Sequence, residues 1–362
     1  MGMEQRLIAS TGTAPRTAKP RERRCPPTLV QYQPGAAHPG APSDAALLAE
    51  VAYGPAHGVD TADPRRILIG TPPIGADNRE LWYLPEGRTE RGWSGNIGFA
   101  TGGGYLLAHL LAYEAPDMNL AALTRQSYHR LLAFVRGSPC PHLLRVWNYV
   151  ERINETQHGM ERYQAFCKGR AEAFADAGIS PHSFPAATAI GSPAAGLSVH
   201  LLAGSRPGTP LENPRQLSAY RYPPPYGPQP PSFARAMCFR GPRKSRELAI
   251  SGTASIVGHV TMHPRDLGRQ LRETIRNLDL LGDHARLSPR APCDPPLLLK
   301  VYLRDPRRMP EVAPVLQAWA GQPVQMMFLR GDICRRELEI EIEAHTSTPH
   351  PPAARLRNVD HA

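Results

Sequence analysis

The sequence predicts an α/β (α+β) protein of two fused, pseudo-symmetric modules, each a mixed sheet with helices packed on one face. Three features point there. The length of 362 residues suits two domains plus tails. A Pro-dense stretch, Arg221 to Pro231, divides the chain. The same order of apolar strands and amphipathic helices stands on either side of it.

The elements follow in order. Residues 1–42 are rich in Pro, Arg and Gly, show no hydrophobic period and are expected to be a flexible tail. The first module is placed at 43–220. Its strand Ile97 to Thr101 ends in Gly102, Gly103 and Gly104, and the apolar run Tyr105 to Tyr113 is too short to span a membrane and reads as a buried strand. A helix over Leu123 to Val135, a strand over Leu143 to Tyr149, a helix near 160–177 and strands near 186–203 follow.

The crossing segment is placed at 221–235 and a second module at 236–346, with a closing tail at 347–362. The second module repeats the order. A strand Leu248 to Ile250 runs into Ser251-Gly252-Thr253-Ala254-Ser255, and a helix carries Leu267, Leu271, Ile275 and Leu278 on one face. Then come the strand Leu298 to Arg304, a helix near 309–320 and strands near 324–344.

The composition excludes several classes. An apolar fraction of 41% can build real cores, while 40 prolines and 31 glycines place much of the chain in loops. The net charge of +10 suits an anionic partner, yet six Arg or Lys against two Glu lie in the first 24 residues, so much of the basicity sits in the tail. No apolar run approaches a membrane span and the N-terminus lacks a secretory core, so no membrane partner is expected. No nucleic-acid partner is expected either, a non-catalytic small-molecule or nucleic-acid binder being the rival that the basic charge suggests. Cys25, Cys140, Cys167, Cys238, Cys293 and Cys334 form no CxxC pair, which predicts free thiols in a reducing cytoplasm rather than zinc or a disulfide frame. His259 and His263 are four apart in a loop-like stretch, and Gly102 to Gly104 lack the GK[ST] ending of a phosphate loop. Neither a metal nor an organic cofactor is expected.

Family likeness is carried by longer motifs. Ile250-Ser251-Gly252, Leu299 to Asp305 and the closing Ile340-Glu341-Ile342-Glu343-Ala344 resemble the RidA fold in order and spacing over about 236–346, with a weaker likeness over 93–205. The place of the substrate-binding Arg of RidA deaminases is Met326 here, and about Ala187 in the first half, which speaks against imine hydrolysis. The acidic place is kept as Glu341, with Val199 near its equivalent in the first half. Tyr222-Pro223 to Tyr226-Gly227-Pro228, Ser232-Phe233-Ala234-Arg235-Ala236, Trp147-Asn148-Tyr149 and Glu161-Arg162-Tyr163 through Gly169-Arg170 resemble the chorismatases, over about 45–346.

That resemblance implies cleavage of the enol ether of chorismate with release of pyruvate, with Glu341 as the acid/base group. It implies substrate contacts from Tyr163, Arg170, Tyr222, Arg235, Ala254 and Cys334. By alternation alone, Glu337, Glu339, Glu341 and Glu343 form one polar face that could equally be solvated. The two carboxylates of chorismate suit the planar fork of Arg, and Tyr163 and Arg170, seven apart, share a helix face. Cys334 resembles the branch that makes 3-hydroxybenzoate, with 4-hydroxybenzoate open as a further product. Hydrolysis to a dihydroxycyclohexadiene carboxylate and a RidA-type enamine or imine deaminase are the alternatives. Because the fusion supplies its own module interface, a monomer is expected.

Overall fold

The computed structural model describes residues 29–34, 46–84, 87–286, 297–321 and 323–348. Among the described residues three large sheets, rather than the two expected, share one apolar core, beside two small two-stranded pairs. The first comprises β1 (Val30–Pro34), β2 (Leu47–Tyr53), β3 (Gly58–Val59), β4 (Arg66–Ile69) and β5 (Asn78–Tyr83), in the order β1-β5-β2-β4-β3. The strand β1 lies inside the stretch expected to be a flexible tail, which corrects that reading for these residues. Leu29 and Val30 are fully buried and β1 pairs antiparallel with β5, so burial overrides a composition that shows no period. The remainder of that expected tail lies outside the described residues, as does the expected closing tail except for Ser347 and Thr348, which belong to the last strand, Ser347 being buried, and so correct that boundary.

The second sheet holds β6 (Glu90–Ser94), β7 (Ile97–Gly102), β8 (Tyr105–Ala112) and β9 (His142–Glu151), then β12 (Ala186–Ser192) and β13 (Leu197–Gly204). Between β8 and β9 lies α1 (Leu120–Arg136). Between β9 and β12 lie the small pair β10 (Thr156–Gln157) and β11 (Met160–Glu161) and then α2 (Arg162–Asp176). The third sheet holds β14 (Thr209–Leu211), β15 (Ala236–Arg240), β16 (Arg246–Thr253), β19 (Leu297–Leu303), β20 (Val324–Arg330) and β21 (Ile340–Thr348). The small pair β17 (Ile256–Val257) and β18 (Val260–Thr261), with α3 (Leu267–Ala285) and α4 (Met309–Ala320), completes it.

The strand orders β12-β9-β13-β8-β7-β6 and β20-β19-β21-β16-β15-β14 correspond position for position, each with a single parallel pair at the same end. The expected pseudo-symmetry of the halves is thus visible in the topology. Helix starts follow from capping: the Asn119 and Asp266 side chains accept from the backbone N–H groups of Ala122 and Arg269 at 2.9 and 3.0 Å. The apolar stripes then seat α1 on the second sheet, through Leu123, Leu131 and Val135, and α3 on the third, through Leu271, Leu278 and Leu281.

The helices therefore cover the outer faces. The inner faces of the three sheets meet in a central core that includes Trp82, Trp147, Tyr149, Phe239, Leu298 and Tyr302. Alternation along a strand sends every second residue to that interior. On β21 the outward residues Ile340 and Ile342 join the helix-side core, so Glu341 and Glu343 point inward. In the second sheet Val199 belongs to the helix-side core, while His200 stacks on Trp147 and Tyr149. The residues that face as Glu341 and Glu343 do are therefore Ser198 and His200, one position either side of Val199.

Candidate active site

Where the second and third sheets meet, a cavity of about 250 Å³ opens between α2, β12, β16, the crossing segment and the loop before β21. Its lining includes all seven residues predicted from sequence: Glu341, Cys334, Ala254 and Arg235 with Tyr222, Tyr163 and Arg170. The structure brings them together from both halves of the chain.

Glu341 forms the inner wall and is 4% exposed. Room for its carboxyl is made by β16. The pairing of β16 with β21 runs Ile250 to Ala344 and then Thr253 to Ile342, one residue too many on β16, which is a bulge at Ser251-Gly252. A β-carbon on Gly252 would lie 1.9 Å from Glu341 Oε1, so glycine is what leaves the acid its place. The bulge is held from the second sheet. Gly252 N–H donates to Thr188 Oγ1 at 2.9 Å, and Ser251 Oγ accepts from Ala187 N–H at 2.9 Å while donating to the Ala234 carbonyl at 2.6 Å.

Burial pushes the Glu341 carboxyl up to about 8, and the neighbouring charge of Glu343 adds to this against the pull of Arg145 and Arg235. An acid of that kind keeps its proton at neutral pH. Burial likewise pushes the Cys334 thiol well up, reinforced by Glu341, so Cys334 presents a neutral S–H to the cavity.

The cations are set for anions. Arg170 projects from α2, stacked on the rings of Tyr128 and Phe174 at 5.3 and 5.0 Å. It is 3% exposed, and its Nε and Nη2 have no hydrogen-bond partner. Buried donors left open in this way mark a place for an acceptor. Packing against α1 fixes the rotation of α2: a β-carbon on Gly169 would fall 2.1 Å from the Ala121 carbonyl oxygen. Arg235 donates to the Leu217 carbonyl and to the Tyr222 hydroxyl at 3.0 and 2.7 Å, and its Nε is also unpartnered. The crossing segment is thus a wall of the site, tied in by Tyr222.

Sequence reasoning missed a third cation, Arg335. Its Nη1 donates to the His259 carbonyl and to Thr261 Oγ1, both at 2.9 Å, and its guanidinium lies 4.2 Å from the Tyr226 ring centre. It stands beside Cys334 in a charged run, where composition alone marks it as surface. Thr188, Phe233 and Glu337 also line the cavity and were missed. Their motifs carry no charge pattern that would have singled them out, except Glu337, which alternation grouped with Glu341. At the mouth Glu161 stands 3.8 Å from Arg336, an exposed contact that contributes little binding energy.

A pocket lined by four guanidinium groups, three of them set within it, and by a buried carboxyl group whose titration is pushed up has the parts to grip a dianion and to deliver a proton. Comparison with known proteins shows the family. Residues 80–203 match the family model described as chorismatase FkbO/Hyg5-like, N-terminal. The chain is 33% identical to a 3-hydroxybenzoate synthase of Streptomyces hygroscopicus over 276 residues, covering 73% of this chain and 80% of that one. It is 34% identical over 313 residues to a chorismatase of Streptomyces rapamycinicus, covering 83% and 92% of the two chains. A crystal structure of a chorismatase, 30% identical, superposes with a TM-score of 0.78 over 88% of this chain and 97% of that one. With these shared lengths and the site in place, the chain belongs to the chorismatase family.

Proposed function

We propose that the protein converts chorismate to 3-hydroxybenzoate and pyruvate, with Glu341 as the general acid. The observation that carries the reading is a carboxyl group held at about 8 inside a cavity lined by Arg170, Arg235 and Arg335. Chorismate is a ring diene with one carboxylate on the ring and another on an enol ether. In this reading Arg170 and Arg235 grip the carboxylates through their open donors, and Tyr222 holds Arg235 in register.

Glu341 then gives its proton to the enol methylene carbon, leaving an oxocarbenium centre at the ether carbon. The neighbouring ring hydroxyl oxygen attacks the ring carbon that bears the ether. The ring C–O bond breaks, its electron pair becomes the ketone of pyruvate, and the hydroxyl proton returns to Glu341. The oxygen-bridged ring opens and aromatises without consuming water. Cys334 and Ala254 border the ring in this reading, and a neutral, small Cys334 favours internal attack over entry of water. A share of 4-hydroxybenzoate fits the same bridged intermediate opening in the other sense.

The site is complete within one chain, which supports action as a monomer. Cys140, Cys167, Cys238 and Cys334 are free thiols, consistent with a cytoplasmic enzyme. Incubation of the purified protein with chorismate tests the function: 3-hydroxybenzoate and pyruvate appear in equal amounts, and absence of pyruvate would refute it. Light scattering on the same sample gives the mass of one chain.

A further inference from the structure

Behind Glu341, on the same face of β21, lies a second buried carboxylate that the reaction does not touch. Glu343 is 5% exposed and accepts hydrogen bonds from Trp147 Nε1 at 2.8 Å and from the Tyr302 hydroxyl at 2.9 Å. Arg145 Nη2 stands 2.9 Å from it and Lys300 Nζ 3.6 Å. Lys300 also pairs with Glu80 on β5 at 2.5 Å, and Glu80 in turn accepts from the Tyr53 hydroxyl and, at 3.3 Å, from Trp82 Nε1. Each of the three sheets contributes to this cluster.

The charges pair among themselves, with Arg145 Nη1 left without a hydrogen-bond partner. Two cations, Arg145 and Lys300, face two carboxylates, Glu343 and Glu80, and every one is buried. Arg145 still favours an ionised Glu341, but burial and the charge of Glu343 outweigh it. Other titratable groups face the cluster: Tyr32 from β1, Tyr149 from β9 and Tyr302 from β19 are all pushed upward by burial first and so stay neutral hydroxyls. His200 from β13 is pushed down by burial and by Lys300, so it too is neutral. His345, next along the inward face of β21, is engaged with Glu247 at 2.9 Å. Arg235 faces Glu341 from the cavity side, where the substrate carboxylate would neutralise it.

We propose that Glu343 is a positioning residue for the acid: locked as an anion by Arg145 and Lys300, it engages these cations itself and sets a fixed negative charge beside Glu341, which holds Glu341 in its protonated, proton-donating form. Burial alone would raise Glu343, but Lys300 and Arg145 outweigh it, so its carboxyl is held below the ordinary value. Arg145 has a second task. The same Nη2 donates to Thr188 Oγ1 at 2.6 Å, the atom that also anchors Gly252, so the charge cluster and the bulge around Glu341 share one guanidinium. The inference rests on Glu341 being the acid.

The test is the pH profile of kcat/KM for chorismate in the full chain. Glu343→Gln keeps the shape and removes the charge, so the alkaline limb moves down by about one pH unit, the scale of a close like-charge interaction. Arg145→Gln removes a cation that favours ionised Glu341, so the limb moves up. Opposite shifts are not the signature of general loosening, which lowers the rate without moving the limb. Where Glu343→Gln does not fold, because two cations then face one carboxylate, the double variant Glu343→Gln with Lys300→Met restores the balance and shows the same downward shift. A limb that stays in place in the folded variant overturns the proposal. Glu341→Gln is measured alongside: wild-type turnover there removes both the acid and its helper, whereas an inactive Glu341→Gln with an unmoved limb in Glu343→Gln removes only the helper.

Discussion

Gly252 and Glu341 compete for one space: a β-carbon on the first would stand 1.9 Å from Oε1 of the second. The acid is placed by an absent side chain on the neighbouring strand. The nearest atoms are the Glu341 carboxyl and Thr188 Cγ2, and Thr188 is itself bound to the Gly252 backbone, so the carboxyl end of Glu341 is the part that must give way.

Gly252→Ala is therefore expected to leave the fold intact and to displace the carboxyl. The rate constant kcat falls by about 10²-fold or more, as for misplacement of a general acid, with a smaller change in KM. Steady-state kinetics beside circular dichroism checks this.

Arg170→Lys keeps the charge but loses the planar fork whose Nε and Nη2 are open. The expected outcome is a rise in KM of about tenfold, corresponding to about 1.4 kcal/mol, with kcat less affected. Equal kinetics in the two proteins would take Arg170 out of substrate binding.

Cys334 borders the cavity as a neutral thiol. A branched side chain there moves the ring away from the pose needed for internal attack. Cys334→Val is expected to shift product from 3-hydroxybenzoate toward the dihydroxycyclohexadiene carboxylate, with pyruvate still released. Chromatographic product ratios decide it.

Stability follows the same carboxyl. The folded value of Glu341, about 8, lies above its ordinary value of 4.5. The folded state therefore holds the proton more tightly, and the stabilisation tied to it is complete below pH 4.5 and is lost as pH rises through about 8. Glu341→Gln lacks this titration. Its melting temperature at pH 9 is expected to exceed that of the wild type, with a smaller gap at pH 6, as thermal scans at the two pH values would show.

Much of this was legible in the sequence. The helices on Leu123 to Val135 and Leu267 to Leu281 and the strands around them carry clear apolar periods, because each buries one face against a sheet. Seven site residues could be named because resemblance selects them from motifs; alternation alone left Glu341 among four glutamates. The first sheet was not legible, since its strands are short and β1 sits in a stretch whose composition hides two buried residues. The role of Glu343 was hidden for another reason. Its partners Glu80, Arg145 and Lys300 stand far apart in the chain, and only the meeting of three sheets makes them a paired set. Arg335 was obscured by its neighbour Arg336, although the two face different surroundings, one stacked on Tyr226 and the other exposed.

The central claim is that Glu341 supplies the proton that starts ether cleavage. Pyruvate release from chorismate by Glu341→Gln, compared with the wild type at pH 7, tests it most directly. The account predicts a loss of about 10³-fold or more in kcat, within the range for removal of a general acid, in a protein that still binds substrate. Turnover at the wild-type rate would contradict it.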